Sequence, residues 1–308
     1  MKPLGQSVTH APDPPAFSKM AGGGNDFVII DNRSHIITDA AGLARKICTR
    51  RLSVGADGLI LIETSARATF RMRYFNSDGS NAEFCANGTR CAARFAFLNV
   101  IAPRRMTIET GAGAVGAEVD DGSAVTLSLS PPNRYLPNRP LRVGQSSVNG
   151  SLIVVGVPHY VLFLKRDLWK QDIEPLGKAI RSHPELQPQG ANVDFVVIRD
   201  WNNIEVRTYE RGVEGETLSC GSGVVASVAS SALFGKVRSP VSVLTRSGIK
   251  LEVSFTLQPS GAGKELTDVR LKGDARLIYR SALTPDTLDG FDPDWVRDPQ
   301  PKEHVSPV

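Results

Sequence analysis

The sequence is poor in cysteine and has no long apolar run. Only four cysteines occur among its 308 residues, which is too few for the disulfide framework of a secreted scaffold. No segment reaches the ~18 consecutive apolar residues that a membrane-spanning helix needs. Residues 1–15 lack the apolar core of a secretory signal. We therefore expect a cytoplasmic protein with reduced thiols and no membrane partner.

The chain also has only a small net charge. The formal net charge is +4, and the Lys and Arg residues are scattered, so no basic patch of the kind that binds nucleic acid is expected. Hydrophobic residues make up 41% of the chain, enough for a substantial core. The length predicts about two domains, on a prior of ~150 residues per domain. Gly22-Gly23-Gly24 is interpreted as a turn, because no Lys-Ser/Thr follows as in a phosphate-binding loop.

The chain contains an internal repeat. Each half is predicted to have a β-rich segment, a second segment ending in a polar residue, and a cysteine followed by small residues. The matching segments are, in pairs, 25–30 and 192–198, 73–76 and 207–210, and Cys85-Ala86-Asn87-Gly88 and Cys220-Gly221-Ser222-Gly223.

Both cysteines precede a helical pattern rich in small apolar residues, at 90–98 and 224–234. The second pattern is apolar on nearly every face, which is typical of a helix that is buried all round. The repeat therefore predicts an α/β (α+β) fold of two pseudo-symmetric halves, each a curved, mostly antiparallel sheet wrapped around a central helix.

The domain bounds follow from the same pattern. We expect an N-terminal half at 16–131 plus 269–283, carrying Cys85, and a C-terminal half at 132–268, carrying Cys220. Residues 269–278 are predicted to form one final strand. Residues 1–15 and 284–308, which are rich in proline, are expected to be flexible or irregular tails.

Two cysteines at two helix starts suit proton transfer. A helix N-terminus has free N–H groups and a partial positive charge, which predicts a thiol pKa lowered from ~8.5 toward neutrality. The same N–H groups can bind a substrate carboxylate. Inversion of an amino-acid Cα needs a base on one face and an acid on the other. Cys85 and Cys220 are therefore the candidate acid–base pair, with no cofactor and no metal required.

Several motifs resemble those of the diaminopimelate epimerase family. They are Asn25-Asp26-Phe27, Asn76-Ser77-Asp78-Gly79-Ser80, the segment 85–91 (CANGTRC), Glu210-Arg211-Gly212 and the segment 220–223 (CGSG). The resemblance extends from about residue 17 to residue 279. It implies a homodimer that interconverts LL- and meso-diaminopimelate in lysine and cell-wall synthesis, without pyridoxal phosphate.

The resemblance also implies roles for single residues. Cys85 and Cys220 match the catalytic pair, and His159 and Glu210 match residues that influence thiol acidity. Side chains or backbone groups that bind the amino-acid substrate are matched by Asn25, Asn76, Ala86, Asn87, Asn192, Glu210, Arg211, Gly221 and Ser222.

Three positions depart from the commonest family pattern. Ala86 stands where glycine is usual, although the backbone donor survives that change. Gly58 stands where some members have glutamine. Val157 stands where many members have a substrate-binding asparagine, so the distal end of the substrate could differ.

Other interpretations remain open. A related racemase acting on histidine or on a proline-type substrate would share these motifs. A thiol–disulfide redox protein is disfavoured because the chain has no Cys-x-x-Cys motif. A non-catalytic ligand-binding protein would keep its function without the two thiols. Cys48 and Cys91 are interpreted as structural residues of the core.

Overall fold

A computed structural model describes residues 14–165, 167–261 and 263–288. The helices are α1 (Ala40–Ile47), α2 (Ala86–Leu98), α3 (Glu174–Arg181), α4 (Gly221–Leu233) and α5 (Pro285–Leu288). The strands are β1 (Ala16–Gly22), β2 (Asn25–Asp31), β3 (Gly58–Glu63), β4 (Phe70–Asn76), β5 (Asn81–Ala82), β6 (Arg105–Thr110), β7 (Gly113–Val119), β8 (Ala124–Ser128), β9 (Tyr135–Val143), β10 (Ser146–Val155), β11 (Val157–Phe163), β12 (Asn192–Ile198), β13 (Asn203–Glu210), β14 (Gly215–Thr217), β15 (Val241–Leu244), β16 (Lys250–Ser260), β17 (Gly263–Asp274) and β18 (Arg276–Ala282).

The sheet repeats one topology twice. The first half has the strand order β18-β1-β2-β3-β4-β6-β7-β8. The second half has the order β9-β10-β11-β12-β13-β15-β16-β17. In both, the third strand pairs with the fourth, and the fifth with the sixth, in parallel, whereas all other neighbours are antiparallel. An antiparallel pairing of β8 with β17 joins the halves. The expected duplication is therefore visible strand by strand.

One predicted repeat pair is wrong. Segments 25–30 and 192–198 were matched by sequence, and they form β2 and β12. However, β2 is the third strand of the first half, whereas β12 is the fourth strand of the second half. The counterpart of β2 is β11, and the counterpart of β12 is β3. Strands of parallel pairs are buried on both faces and so have similar apolar sequences, which explains the mismatch. The other strand segments, 73–76 and 207–210, lie on true counterparts, β4 and β13.

Each half encloses one helix and carries another outside. α2 and α4 lie within one large apolar cluster lined by alternate residues of the strands. The other face of the first half packs on α1, and that of the second half on α3. α4 is almost completely buried, as its apolar sequence predicts.

Sequence patterns placed some boundaries incorrectly. α2 and α4 each begin about one turn earlier than predicted, directly after the cysteines. The single strand predicted at 269–278 is two strands, because Ala275 leaves the ladder and donates its N–H to Ser123 O at 2.7 Å. The alternation of buried and exposed residues continues across this one-residue break, so the sequence pattern does not show it. β9 contains two prolines but lies at a sheet edge, where proline is tolerated.

Residues 285–288, predicted to be irregular, form the short helix α5. The remaining tail predictions, for residues 1–13 and 289–308, lie outside the described residues. Within the described part of the chain, no helix is both long enough and apolar enough to cross a membrane.

The two internal helices meet at their N-termini. A Cβ atom added to Gly221, the first residue of α4, would lie 2.6 Å from the Cβ of Ala86, the first residue of α2. Real Cβ atoms do not approach so closely, so glycine at this position lets the helix ends touch. This contact brings the two cysteines that precede the helices to one place.

We expect Gly221→Ala to force the helix ends apart and to destabilise the protein by about 1–3 kcal/mol, as overpacking does. Urea unfolding measures this change. The matched control is Gly122→Ala, where the nearest atom to an added Cβ is 3.6 Å away, and its effect should stay within about 0.5 kcal/mol. If Gly221→Ala were as stable as the wild type, the helix contact would not constrain the fold.

Candidate active site

Cys85 and Cys220 occupy equivalent places in the two halves. Each is the N-cap of its helix with an extended backbone, and each Sγ accepts a hydrogen bond from the N–H three residues later. The Sγ–N distances are 3.4 Å to Gly88 and 3.4 Å to Gly223. A short hairpin, β4–β5 or β13–β14, leads into each cysteine. The structure thus contains two copies of one helix-start site.

The structure contradicts the expectation that the helix N-termini lower the thiol pKa. Burial raises the pKa of Cys85 above its ordinary value; the Gly88 N–H opposes that rise, and the Glu210 carboxylate adds to it. Burial likewise raises the pKa of Cys220 well above its ordinary value, with further increases from Glu210 and Asp194. Desolvation of a thiolate therefore outweighs the helix N–H groups here.

The other two cysteines are core residues, as expected. Cys91 is fully buried within α2, and Cys48 is 2% exposed beneath α1. Burial raises the pKa of Cys48 to about 12 and also raises the pKa of Cys91. All four thiols are free, and Cys85 is the most accessible of them.

A cavity of about 360 Å³ opens between the two halves. Four of the predicted binding residues line it: Asn192, Glu210, Arg211 and Ser222. Burial raises the pKa of the Glu210 carboxyl. Further lining residues were not predicted from the sequence; they are Glu83, Phe84, Ala112, Val155 and Gly156. Glu83 and Phe84 directly precede Cys85, which is the signal that could have identified them.

The wall of the cavity is built by backbone and amide contacts. Asn192 Oδ1 accepts from the Arg211 N–H at 2.8 Å, and its amide Nδ2 lies 4.0 Å from the Cys220 sulfur. Arg211 Nη1 donates to Gln189 O at 2.9 Å. Val157, the residue that departs from the family pattern, lies on the same wall. This wall of the cavity therefore combines the carboxyl of Glu210, the guanidinium of Arg211 and the amide of Asn192 with the apolar Val157.

Asn25 and Asn87 connect the two helix starts. The Asn87 amide Nδ2 donates to Asn25 Oδ1 at 2.8 Å and to Ser219 O, next to Cys220, at 3.3 Å. Its Oδ1 accepts from the guanidinium of the fully buried Arg90 at 2.6 Å. The turn contains Gly23, with φ of +62°, which packs on Asn87, and Gly24, with φ of +96°, which packs on Leu218 and Ser247. The interpretation of these glycines as a turn is confirmed.

Some predicted residues lie apart from the cavity wall. Asn76 ends β4 and donates its amide to Ser80 Oγ at 2.9 Å. Gly58, where some relatives have glutamine, lies at the start of β3; an added Cβ would be 2.5 Å from Cε2 of Tyr74. The Tyr74 ring thus occupies the space that a longer side chain would need. Ala86 and Gly221 contribute the helix contact described above.

A buried polar group lies beneath the first turn of α4, where a Cβ added to Gly223 would meet Asp194 and Thr208. His159 Nδ1 is 2.8 Å from Asp194 Oδ2, and both side chains are completely buried. Thr208 Oγ1 donates to the other carboxylate oxygen, Asp194 Oδ1, at 2.7 Å. His159 was predicted, but Asp194 and Thr208 were not. In the described residues no group of three or more His, Cys, Asp or Glu side chains could hold a metal ion.

Comparison with known proteins identifies the family. The model of the family described as diaminopimelate epimerase matches residues 17–134 and 151–260. The chain belongs to the diaminopimelate epimerase family. It is similar to the diaminopimelate epimerase of Aquifex aeolicus, at 41% identity over 89% of this chain and 99% of the relative. The diaminopimelate epimerase of Chlorobaculum tepidum is 40% identical, covering 86% of this chain and the whole relative.

Solved structures of other proteins share the fold. A probable proline racemase from Agrobacterium radiobacter has a TM-score of 0.65 at 17% identity, covering 88% of this chain and 94% of the other. A hydroxyproline epimerase from Agrobacterium vitis has a TM-score of 0.64 at 16% identity, covering 88% and 93%. At such identities the likeness concerns the fold alone. It confirms the predicted two-half architecture around internal helices.

Because burial raises the pKa of Cys85, alkylation of this thiol by iodoacetamide should accelerate only above the ~8.5 of a free cysteine. Peptide mass spectrometry across a pH series measures the rate at each cysteine separately. Cys91, which is completely buried, is the internal control and should react only after unfolding. An inflection near neutral pH at Cys85 would show that the helix N–H groups outweigh desolvation.

Proposed function

We propose that this protein is a diaminopimelate epimerase in which Cys85 and Cys220 invert the substrate Cα by paired proton transfer. The single observation that carries the proposal is the meeting of two equivalent cysteine-capped helix starts at the Ala86–Gly221 contact. One thiolate removes the α-proton, and the thiol of the other half delivers a proton to the opposite face. The product therefore has the inverted configuration.

The substrate carboxylate at the reacting centre binds between the helix ends. The first N–H groups of a helix have no partner within it, and they are those of Ala86, Asn87, Gly221 and Ser222. Two facing sets of such donors hold a carboxylate and stabilise the negative charge that develops as the α-proton leaves. A backbone donor is unaffected by alanine in place of glycine at position 86.

Substrate binding also activates the base. Burial raises the pKa of both thiols. The α-ammonium group of the substrate brings a positive charge between them, and an opposite charge at short range favours a thiolate. The ammonium group of the bound substrate therefore favours ionisation of the thiol that acts as the base.

The distal end of the substrate faces the cavity wall. Diaminopimelate has a second carboxylate and a second ammonium group, and Arg211 and Glu210 have the complementary charges there. An arginine fork binds a carboxylate with charge-assisted hydrogen bonds. A proline-type or histidine substrate has no second zwitterion and would leave both side chains without a partner. The homodimer implied by the family resemblance and the cytoplasmic location expected from the sequence composition remain predictions.

The decisive experiment follows the Cα proton. LL-diaminopimelate is incubated with the protein in heavy water under reducing conditions, and deuterium at Cα is followed by NMR. We expect exchange and conversion to the meso form by the wild type, and loss of conversion in Cys85→Ala and in Cys220→Ala. Cys48→Ala, in a separate apolar cluster, is the control and should remain active.

Each alternative outcome has a definite meaning. The absence of deuterium uptake by the wild type would refute diaminopimelate as the substrate, and a panel of other amino acids would then test the related racemases. Full activity in either catalytic-cysteine variant would refute the two-base scheme. Function retained without both thiols would support a binding protein instead.

A second prediction concerns Arg211. Replacing it with methionine removes a charge-assisted contact of about 1.5–3 kcal/mol, so KM for diaminopimelate should rise roughly 10- to 100-fold. Steady-state kinetics measure this, and kcat should change less than KM because the contact is remote from Cα. The control is Arg199→Met: Arg199 pairs with Glu205 beyond the far end of β12. Equal KM values in the two variants would place the distal carboxylate elsewhere.

A further inference from the structure

A chain of hydrogen bonds runs beside the two helix starts and ends at a charged residue on each side. Arg90 Nη2 donates to Asn87 Oδ1 at 2.6 Å, and Asn87 Nδ2 donates to Asn25 Oδ1 at 2.8 Å. Asn25 Nδ2 then donates to Asp57 Oδ2 at 2.9 Å. Every donor in this amide chain therefore points from the guanidinium toward the carboxylate.

The two charged ends determine the direction of the amides between them. An arginine side chain only donates hydrogen bonds, and an ionised carboxylate only accepts them. Asn87 must therefore present its oxygen to Arg90, and Asn25 must present its NH₂ group to Asp57. If either amide turned over, two donors or two acceptors would face each other. The order of donors and acceptors is thus fixed along the whole amide chain.

The Arg90 end is rigid because the whole side chain is buried. Its other N–H groups donate to Asp274 O at 3.3 Å and to Ala86 O at 3.4 Å. Gly273 leaves room for the guanidinium, since an added Cβ would lie 2.9 Å from Nε. A buried charge is costly unless its hydrogen bonds are made, and this requirement ties Arg90 to the first turn of α2.

The Asp57 carboxylate at the other end is surrounded by donors. Its Oδ2 also accepts from the Asp26 N–H at 3.2 Å, and its Oδ1 accepts from Arg50 Nη2 at 2.8 Å. Arg50 bonds to the carboxylate of Asp26 as well, and the Lys19 ammonium pairs with Asp26 at 2.8 Å. Two cations therefore hold the two carboxylates in place, with one oxygen of Asp57 turned toward Asn25.

The amide chain also links one half of the molecule to the other. Asn87 lies in the first turn of α2, two residues after Cys85. Its Nδ2 also donates to Ser219 O at 3.3 Å, and Ser219 directly precedes Cys220. One amide group therefore connects the start of α2 with the segment that carries the second cysteine. If the Asn87 amide turned over, its oxygen would face the Ser219 carbonyl oxygen and the link would be lost.

The second half builds an equivalent helix start without such a chain. Strands β2 and β3 align with β11 and β12 through their pairing registers, and the two helices align through their capping cysteines. The places of Asn25, Asp57, Asn87 and Arg90 are taken there by Val157, Ala191, Ser222 and Val225. A cysteine-capped helix in this fold therefore needs no amide chain, and the chain has a role other than forming the helix.

We propose that Asp57 is a positioning residue: with Arg90 at the opposite end, it orients the Asn25 and Asn87 amides so that Asn87 holds the segment before Cys220 against the start of α2. The proposal rests on the two-thiol function above, because both thiols must reach one Cα and small misplacements are costly to such a reaction. In this role Asp57 does not touch the substrate and acts through the two amides.

The first test observes the Asn87 amide directly. Hydrogen exchange of the side-chain amides is followed by ¹H–¹⁵N NMR, with the Asn87 signals assigned by their loss in Asn87→Ser. Both Asn87 protons should exchange at least ~10-fold more slowly than those of the exposed Asn149, because a buried, bonded amide must open before it exchanges. Equal rates at the two residues would overturn the proposal.

The same measurement is then made on Asp57→Ala, which removes the acceptor at the partly exposed end of the chain. Exchange of the Asn87 protons should accelerate by about 10-fold, as expected for the loss of one charge-assisted hydrogen bond. An unchanged rate would show that Asp57 does not control Asn87. No substrate is needed, so a wild type that failed to exchange the Cα of diaminopimelate would refute the proposed function and leave this result standing.

The second test asks whether Asp57 and Asn87 act through one chain. For diaminopimelate, kcat/KM should fall by about 10-fold in Asp57→Ala and in Asn87→Ser, which keeps the backbone N–H. Because both changes interrupt the same chain, the double variant should lose no more than the worse single variant. Losses that multiply in the double variant would reveal two independent effects and refute the role.

Two further variants separate positioning from a general loss of charge. Asp57→Asn keeps an acceptor oxygen and the size of the side chain, so it should recover part of the activity and of the Asn87 protection lost in Asp57→Ala. It also serves if Asp57→Ala does not fold, and activity no higher than that of Asp57→Ala would contradict an acceptor role.

The matched control is Asp31→Ala, because Asp31 forms an exposed ion pair with Arg33 at the other end of β2. Exposed ion pairs contribute little, so kcat/KM should stay within about twofold of the wild type. A loss in Asp31→Ala as large as that in Asp57→Ala would show that the effect does not depend on the amide chain.

Discussion

The contact between the two helix N-termini is the constraint on which the rest of the structure depends. Each helix is enclosed by its own half of the sheet, and β8 and β17 hold the halves together. The first residues, Ala86 and Gly221, approach so closely that one of them must be glycine. Only this approach gives two cysteines from distant parts of the chain a common site, with two sets of free N–H groups facing each other.

That approach has an electrostatic consequence. Helix starts that meet inside the molecule exclude water, and desolvation then raises the pKa of both thiols. The argument that a helix N-terminus lowers a cysteine pKa holds for accessible sites, but here burial has the larger effect. Formation of a thiolate therefore requires a further positive charge near the sulfur, and in the proposed function the ammonium group of the substrate supplies it.

Site residues that belong to a short contiguous motif could be predicted from the sequence. The cysteine-small-polar-glycine segments identified both helix starts, and the register confirms that Glu210 stands at the repeat position of Asn76. The pairing of 25–30 with 192–198 failed because buried parallel strands have similar apolar sequences whatever their place. Asp194 and Thr208 were missed because their meaning lies in cross-strand pairing, which one strand alone does not reveal. An acidic residue at an inward position of an apolar strand was the available signal.

The duplication also explains why the two halves could diverge beneath the site while remaining alike above it. In the proposed function the N–H donors of both helix starts bind one carboxylate from two sides, which requires the helix contact and these donors to be alike in the two halves. The side chains that pack beneath the first helical turns differ, since Ile60 and Phe27 lie next to Gly88 whereas Asp194 and Thr208 lie next to Gly223, so an apolar and a polar set each support the same turn.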